Sequence, residues 1–328
     1  MLGAVEMALA DAGYRVTPEI MDRLLLLEHT PIQSPASDLA EAVLLNPGIL
    51  GVVGHSGSSG SLMASPIYNR AQVVQIAPTS TAPIYSETGP FSFRLVPSDE
   101  VQGAFLADVV NGRFPQGTRL AVFYANDDYG RSLRAEFLQG LDPERADVVL
   151  QAPHVEAETR PFDAEAAVAS LQLTGAEVVL WFGRPPELDH LLPSLRAALG
   201  EIPVLGSDAL SRAEIRTELH PAWRGVEYAD FMLPDPDRDL FRFLDRYRAR
   251  TGVSGGMPEA LAYDAASLLL QAVAEGARSG EEIRRYLLRL GRDSPPFPGL
   301  TGPIQFTDEG DMMREFTVRQ VRMPGEEG

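Results

Sequence analysis

The chain has 328 residues, a formal net charge of -18 and a sequence pI near 4.7. This length exceeds that of one ordinary α/β domain and suits two, and a hydrophobic content of 45% can fill two cores. A surface this negative repels phosphate backbones, which argues against nucleic acid as a partner. The chain contains no cysteine, so it has no disulfide framework, thiolate metal site or cysteine nucleophile.

The sequence shows no sign of a membrane segment or an export signal. No apolar run reaches the roughly 18 residues that a spanning helix needs. The segment after Met1 carries Glu6 and Asp11 and lacks a basic region, unlike a signal peptide. It predicts instead the body of a helix that is broken at Gly13.

Short apolar runs alternate with amphipathic stretches along the chain. In chain order we predict a strand at 23–27, a helix at 36–45, a strand at 48–53, a helix at 61–70 and a strand at 71–76. After a crossing segment we predict strands at 120–124, 147–150, 177–182 and 203–205, with helices between them at 131–140, 164–173 and 186–199. Helices at 239–250, 258–276 and 280–290 follow, and then strands near 302–306 and 315–321. Apolar strands alternating with helices predict mostly parallel sheets covered on both faces. We therefore expect two βα series, at about 1–96 and 97–231, with helices 258–290 packed on the first.

A turn rich in glycine and serine, Gly54 to Ser61, follows a predicted strand and opens a helix. Such a turn presents backbone N–H groups, hydroxyls and the positive end of a helix dipole, which suits a carboxylate. The alternative is an ordinary strand-to-helix turn with a serine cap. A serine hydrolase fits poorly because no serine here has glycine on both sides at the required spacing, although His154, His190 and His220 are available as triad partners.

A second polar loop follows the next predicted strand. Thr79, Ser80 and Thr81 stand in a row between Pro78 and Pro83. Hydroxyl donors at neighbouring strand ends are able to share one carboxylate with the preceding turn. The alternative is a proline-stiffened surface loop.

The second βα series offers further candidates at its strand ends. Tyr129 follows an acidic pair in which Asp128 is the predicted helix cap, and it can present an aromatic edge to a ligand. Asp208 ends another strand and suits a ligand with separate amino and carboxyl groups, or else caps a helix. Arg184 ends the strand before it and either lies on the surface or reaches the ligand.

Taken in order, these stretches resemble the type I periplasmic solute-binding proteins of branched-chain amino acid (Leu/Ile/Val-binding) ABC transporters. Each motif is weak by itself, but the ordered set is strong and covers most of the chain. The matching segments are 49–59, 77–83, 91–99 with Gln102 and Gly103, 126–130, 261–265 and 300–306.

The resemblance implies an α/β fold of two Rossmann-like lobes with parallel sheets, joined by three hinge crossovers. The crossovers fall near 94–97, 231–234 and 303–305. Lobe 1 would comprise 1–96 plus 232–303, and lobe 2 would comprise 97–231 plus 304–328, with the ligand cleft between the lobes.

The resemblance also implies a function without catalysis, cofactor or metal. The protein would be the extracytoplasmic solute-binding component of an ABC importer, periplasmic or membrane-anchored outside the cell. It would capture an amino acid or similar small carboxylate by hinge closure and present it to the permease of the transporter. The main alternative is a sensory or regulatory ligand-binding domain of the same fold, because fold alone does not settle function.

The resemblance assigns roles to residues already named. Ser58 and Thr81 would bind the ligand carboxylate, helped by the backbone around Thr79 and Ser80. Asp208 would pair with the ligand ammonium. In lobe 2, Tyr129 would close over the ligand.

Two departures from the family pattern affect these expectations. Where leucine-binding relatives carry an aromatic residue near the ligand, this chain has Arg184, which would admit an acidic or more polar ligand side chain. In addition, the chain begins in the first helix, without the family's signal peptide and first strand. We therefore expect the natural product to be longer at its N-terminus.

Overall fold

The structure is a computed structural model that describes residues 1–14, 36–46, 48–155, 162–213, 219–231, 238–321 and 323. The predicted strand at 23–27 lies outside these residues. No helix in the described part of the chain is both long enough and apolar enough to cross a membrane.

Helices and strands alternate along most of the described chain. The helices are α1 (Leu2–Asp11), α2 (Ala36–Leu44), α3 (Ser58–Arg70), α4 (Asp99–Arg113), α5 (Asp128–Gly140), α6 (Ala164–Thr174), α7 (Pro185–Leu199), α8 (Arg238–Thr251), α9 (Met257–Ala274) and α10 (Gly280–Arg289). The strands are β1 (Gly51–Val53), β2 (Val74–Ala77), β3 (Ser92–Arg94), β4 (Thr118–Ala125), β5 (Ala146–His154), β6 (Val178–Phe182), β7 (Val204–Gly206), β8 (Val226–Asp230), β9 (Phe297–Gly299), β10 (Gly302–Ile304) and β11 (Thr317–Gln320). Short 3₁₀ turns cover Pro83–Thr88, Asp208–Ala213 and Pro221–Trp223.

The chain divides into two compact units and passes from one to the other three times. Unit 1 comprises Met1–Ser98 and Met232–Arg314, and unit 2 comprises Asp99–Phe231 and Glu315–Gly328.

The last boundary differs from the one expected from sequence. Residues 304–314, which the sequence analysis assigned to lobe 2, group with unit 1. The reason is local: Phe306 packs edge-on against Phe93 with ring centroids 5.1 Å apart, and Asp311 forms an ion pair with Arg94.

Unit 1 contains a parallel sheet in the order β1-β2-β3 and an antiparallel pair, β9 with β10. One apolar cluster joins α2, α3 and β1 through Ala40, Val52 and Ile67. A second cluster joins α1, α8 and α9, where Met7 packs with Phe243. The helices predicted at 258–290 thus belong to unit 1, as expected.

Unit 2 contains a six-stranded sheet in the order β11-β8-β7-β6-β4-β5. Every neighbouring pair is parallel except β11 with β8, which is antiparallel. Trp181 on β6 and Trp223 are both fully buried in one of its apolar clusters. The prediction of an α/β fold with mostly parallel sheets is confirmed.

Four elements were not predicted, namely α4, β3, β8 and β9, and two of them, α4 and β8, show the effect of buried polar residues. Helix α4 buries Asp99 and Gln102 and includes Gly103. A Cβ atom at that glycine would lie 2.7 Å from the backbone nitrogen of Phe137, so glycine allows α4 to approach α5 closely. Strand β8 ends on buried Asp230, which pairs with Arg319 of β11 at 2.7 Å. Polar residues at packed positions obscure the apolar pattern by which such elements are recognised.

Candidate functional site

In unit 1, hydrogen bonds join the loop after β1 to the loop after β2. The Gly57 N–H donates to Thr79 Oγ1 at 3.2 Å. The Ser80 hydroxyl donates to the Gly57 carbonyl at 2.8 Å and lies 2.6 Å from Ser61 Oγ. The side chains of Thr79 and Ser80 therefore hold the two loops together.

Ser58 and Thr81 present hydroxyl groups where these loops meet. Ser58 is the first residue of α3, and its Oγ accepts hydrogen bonds from the backbone N–H groups of Thr81 and Ala82, both at 3.3 Å. Both lone pairs of that oxygen are then used, which leaves its hydrogen to donate elsewhere. Thr81 is 2% exposed, and its Oγ1 has no hydrogen-bond partner among the described residues.

The hydroxyl groups of Ser58 and Thr81 at the N-terminus of α3 are suited to bind an anion. The partial positive charge of the α3 N-terminus favours a negative group there. An unpartnered buried hydroxyl is costly unless something else binds it. A carboxylate meets both requirements because it accepts several hydrogen bonds at once.

His55 lies in the loop after β1 but adds no positive charge near the hydroxyl groups of Ser58 and Thr81. Its Nε2 is 3.2 Å from the Tyr68 hydroxyl, and burial lowers the pKa of His55 to about 4. The imidazole is therefore neutral near pH 7. The contacts of Ser58 are backbone amides and not this imidazole, so these described residues do not form the serine–histidine pair of a hydrolase.

The three other histidines considered for a triad have roles within their own surroundings. His154 ends β5 and stacks on Trp181, with ring centroids 4.6 Å apart, and burial lowers its pKa to about 4. His220 accepts the N–H of Ala222 at 3.1 Å and caps a 3₁₀ turn. His190 lies exposed on α7.

In unit 2, the residue that caps α5 is Asp127 and not Asp128 as predicted. Asp127 has an extended backbone, and its Oδ1 accepts the N–H of Gly130 at 2.9 Å. The helix begins at Asp128, one residue earlier than a cap at that position would allow. Asp128 instead pairs with Arg131 at 3.3 Å in the first turn.

Asp208, at the end of β7, is surrounded by hydrogen-bond donors. The Tyr129 hydroxyl lies 2.9 Å from Asp208 Oδ1 and 2.7 Å from Ser207 Oγ. Gln102 of α4 donates its Nε2 to the same carboxylate oxygen at 2.9 Å and accepts the Asp208 backbone N–H at 3.3 Å. Two side chains from separate helices of unit 2 thus orient this carboxylate.

The Asp208 carboxylate has hydrogen bonds, and the positive charge of Arg212 acts on it without forming an ion pair. No ion pair to it occurs among the described residues. Burial raises the pKa of Asp208, while the hydrogen bonds from Gln102 and Tyr129 lower it in part. A cationic ligand group would stabilise the ionised form.

Arg184 lies at the end of β6, where it contacts two of the residues just described. Its Nη1 is 3.0 Å from Asp127 Oδ2, and its guanidinium stands 5.4 Å from the centroid of the Tyr129 ring. The side chain is 26% exposed. Of the two alternatives from sequence, the structure favours a position at the same strand ends as Tyr129.

Sequence reasoning did not assign roles to Gln102 and Ser207, although both contact the proposed site. Gln102 occupies the face of α4 that also carries Leu106 and Val110, four and eight residues on, and all three are buried. A polar residue on an apolar helix face is the signal that identifies it. Ser207 had no comparable signal, because a serine before an aspartate at a strand end is ordinary turn chemistry.

The described residues contain no group of three or more His, Asp or Glu side chains able to hold a metal ion. The donor atoms at both sets of strand ends are hydroxyls, amides and single carboxylates.

Comparison with known sequences identifies a family model, described as periplasmic binding protein, that matches residues 33–327. A similar protein of known name is the leucine-, isoleucine-, valine-, threonine- and alanine-binding protein of Pseudomonas aeruginosa. It is 24% identical over 294 residues, which cover 88% of this chain and 77% of that protein.

Solved structures show the same fold. The substrate binding protein LivJ of a branched-chain amino acid transporter from Streptococcus pneumoniae, in complex with isoleucine, aligns with a TM-score of 0.75 at 18% identity and covers 99% of this chain and 90% of that one. A solute binding protein of an ABC transporter from Rhodopseudomonas palustris, in complex with 3,4-dihydroxybenzoic acid, aligns with a TM-score of 0.79 at 15% identity and covers 98% of this chain and 87% of that one.

Proposed function

We propose, because this chain belongs to the periplasmic binding protein family, that it binds an α-amino acid and supplies it to an ABC importer. Solute binding is the function of its relatives, and none of the three compared is named as an enzyme. Two observations carry the proposal: in unit 1 the Thr81 hydroxyl is buried beside Ser58 without a partner among the described residues, and in unit 2 the Asp208 carboxylate is hydrogen-bonded but makes no ion pair among them.

Unit 1 has the donors that an α-carboxylate needs. The Ser58 hydroxyl has one hydrogen left to donate, and Thr81 Oγ1 is buried without a partner among the described residues. Charge-assisted hydrogen bonds of this kind are stronger than neutral ones. Thr79 and Ser80 act through the loop geometry, since their hydroxyls bind Gly57.

Unit 2 has the acceptor that an α-ammonium needs. Asp208 is held by Gln102 and Tyr129, so its orientation is fixed before a ligand arrives. Preorganisation of this kind lowers the entropic cost of binding. An ammonium group would supply a direct ion pair, whereas among the described residues Arg212 acts on Asp208 without forming one.

Arg184 is the residue through which we expect the ligand side chain to be selected. Asp127 neutralises part of its charge at 3.0 Å, and Tyr129 supports its flat face. A guanidinium carries five N–H donors in a planar fork, a chemistry that suits a polar or acidic ligand side chain. We therefore propose glutamate-like or polar amino acids ahead of purely aliphatic ones.

The partner we propose is the membrane permease of an ABC importer, and the location is outside the cytoplasm. Both proposals rest on the family and on relatives named for ABC transporters. A sensory domain of the same fold would bind the same class of solute and differ only in the partner that reads the bound state.

A thermal-shift screen tests the proposed ligand class. The ligand-stripped protein is heated with each of the twenty amino acids, and with benzoate and 3,4-dihydroxybenzoate as carboxylates without an α-ammonium. A ligand at 100 times its dissociation constant adds about 2.7 kcal/mol to the free energy of unfolding. A shift with one or more amino acids supports the proposal. A shift with the aromatic acids alone would replace it, since that class of solute has no use for the Asp208 carboxylate as an ammonium partner.

A further inference from the structure

A buried arginine lies directly behind the hydroxyl donors of unit 1. Arg94 ends β3, and only 1% of the residue surface is exposed. Its Nη1 donates to the carbonyl oxygens of Thr81 and Ala82 at 2.9 and 2.8 Å. The guanidinium thus binds the far side of the loop that carries Thr81.

The peptide between Thr81 and Ala82 connects this arginine to Ser58. That peptide bond is trans, so its carbonyl and its N–H point in opposite directions. The carbonyl accepts from Arg94, and the N–H of Ala82 donates to Ser58 Oγ at 3.3 Å. The result is a chain of hydrogen bonds from guanidinium to peptide to serine hydroxyl, which we call the Arg94 relay.

A relay of this kind does two things to the Ser58 hydroxyl. It occupies the oxygen lone pairs, so the hydroxyl hydrogen is directed away from the loop. It also polarises each bond in turn, because hydrogen bonds in series strengthen one another in a low-dielectric interior. Both effects make Ser58 a better donor to an anion.

Asp311 opposes the positive charge at the start of the relay. Its Oδ1 lies 2.5 Å from Arg94 Nε and also accepts a hydrogen bond from Ser86. The Asp311 side chain is 28% exposed, whereas that of Arg94 is 1% exposed. The negative charge of Asp311 therefore weakens the field that Arg94 exerts on an anion at Ser58 and Thr81.

We propose that Arg94 is a positioning residue for the solute carboxylate, acting through the Thr81–Ala82 peptide and Ser58, and that Asp311 attenuates it. This inference rests on the proposed function, in which Ser58 and Thr81 bind a carboxylate. It goes beyond that function by assigning opposite effects to two residues that form one ion pair.

The opposite effects are measured with two charge-removing variants, Arg94→Gln and Asp311→Asn. The probes are leucine, glutamate and benzoate. Each is compared with the corresponding amide, in which the α-carboxylate (the single carboxylate in benzoate) is replaced: leucinamide, isoglutamine and benzamide. Arg94→Gln should weaken carboxylate binding, and Asp311→Asn should strengthen it, each by about threefold to tenfold. Affinities for the amides should change much less. Asparagine at 311 retains an oxygen that can accept from both Arg94 and Ser86, so the local geometry is preserved.

A purely structural role for the pair predicts a different result. If Arg94 and Asp311 only hold the loop, both variants should weaken binding, and acids and amides should be affected alike. That result would overturn the inference while leaving the proposed function intact. A wild-type protein that binds none of the acids would overturn the proposed function instead.

Two further measurements test the relay, and the first of them uses a variant other than Arg94→Gln in case that variant folds poorly. Arg94→Lys retains the charge and should restore part of the carboxylate preference. In the ligand-free protein, the amide hydrogen of Ala82 should exchange about tenfold faster in Arg94→Gln than in wild type, as measured by NMR. Unchanged exchange would show that the relay does not hold that peptide.

A double-mutant cycle addresses the path itself. In a Ser58→Ala background the relay ends at the Ala82 amide, so Asp311→Asn should lose most of its effect on carboxylate binding. An undiminished effect would mean that the charge acts through space and not through Ser58, and it would overturn the assigned path.

Discussion

The Tyr129 hydroxyl lies 2.9 Å from Asp208 Oδ1, and this contact joins residues 79 positions apart in the sequence. The same hydroxyl lies 2.7 Å from Ser207 Oγ, so the serine and the carboxylate are alternative acceptors for its one hydrogen. Burial and the nearby Asp208 charge both raise the pKa of Tyr129 well above its ordinary value. The phenol therefore stays protonated and remains a donor across the working pH range.

Replacing Asp208 by asparagine should abolish the binding of amino acids. The ammonium of the ligand would lose its charged partner, and breaking a buried ion pair costs about 3–5 kcal/mol. Isothermal titration calorimetry with the hit from the thermal-shift screen measures the loss. The matched control is Asp128→Asn, because Asp128 is 42% exposed in the same unit and pairs only with a surface arginine. Equal affinity in wild type and Asp208→Asn would remove Asp208 from the ammonium site.

Tyr129→Phe should weaken binding less than the Asp208 variant does. It keeps the ring that faces Arg184 and removes only the hydroxyl that orients the carboxylate. A hydrogen bond to a charged group contributes about 1.5–3 kcal/mol, so the dissociation constant is expected to rise by about tenfold to a hundredfold. Tyr124→Phe, which alters another tyrosine whose ring lies beneath an arginine, should leave affinity unchanged. A null effect at Tyr129 would show that Gln102 alone suffices to orient Asp208.

Thr81→Val should affect stability and binding in opposite directions. Its Oγ1 is buried and unpartnered among the described residues, so removing the hydroxyl should stabilise the ligand-free protein by about 1 kcal/mol. The same change removes a donor to the ligand carboxylate and should weaken binding. Thr79→Val is the control: its Oγ1 accepts the Gly57 N–H at 3.2 Å, so that variant should melt at a lower temperature. Chemical unfolding with and without ligand separates the two effects.

Arg184→Ala should reduce the binding of glutamate and aspartate more than that of leucine. The variant leaves Asp127 without the guanidinium that lies 3.0 Å away, and the exposed carboxylate then repels an acidic side chain. Arg131→Ala serves as control, since Arg131 pairs with Asp128 on the exposed side of α5. Equal losses for all three ligands would limit Arg184 to supporting Tyr129.

The pH dependence of stability should contain a contribution from Asp264. This residue is 1% exposed in unit 1, and its carboxylate accepts the N–H groups of Leu300 and Thr301 and the Thr301 hydroxyl. Burial raises its pKa from 3.8 to about 6. Because the folded value lies above the unfolded one, the stabilising contribution is fully present below pH 3.8 and is lost as the pH rises through about 6.

That contribution is isolated by comparison with Asp264→Asn. Between pH 4 and pH 7 the free energy of unfolding of the wild type should fall by about 2 kcal/mol relative to the variant. Urea unfolding at a series of pH values measures the difference. Asp128→Asn, whose carboxylate is exposed, should follow the wild type throughout. Parallel profiles for wild type and Asp264→Asn would contradict the raised pKa.

Much of the fold was predictable because its signals are local and repeated. Apolar strands such as Val178–Phe182 and amphipathic helices such as Pro185–Leu199 follow the expected periods, and their bounds agree within a residue or two. The resemblance to type I periplasmic binding proteins of the branched-chain amino acid class is confirmed by the family match and by the solved structures. Helix α4 was missed because Gln102 and Gly103 stand at packed positions, where an apolar period would have few interruptions.

The candidate site was predictable only in part. Ser58, Thr81 and Asp208 could be predicted because each follows a parallel strand. The carboxyl ends of such strands lie along one edge of their own sheet, where ligands commonly bind. No local pattern indicates that Gln102 faces Asp208, since 106 residues separate them. Arg94 was visible only as part of a chain crossover, and its bonds to Thr81 and Ala82 depend on how the loop folds back onto β3.

The pairing of β11 with β8 bears on how the protein is made. Thr317–Gln320 completes the sheet of unit 2, but the ribosome synthesises it only after residues 232–314 of unit 1. Until then β8 has an open edge, and the Asp230 carboxylate lacks the Arg319 guanidinium that lies 2.7 Å away in the finished protein. Unit 2 therefore cannot reach its final sheet while it is the newest part of the nascent chain. Exposed strand edges invite pairing with other chains, so the interval between synthesis of β8 and of β11 is when this protein most needs protection from aggregation.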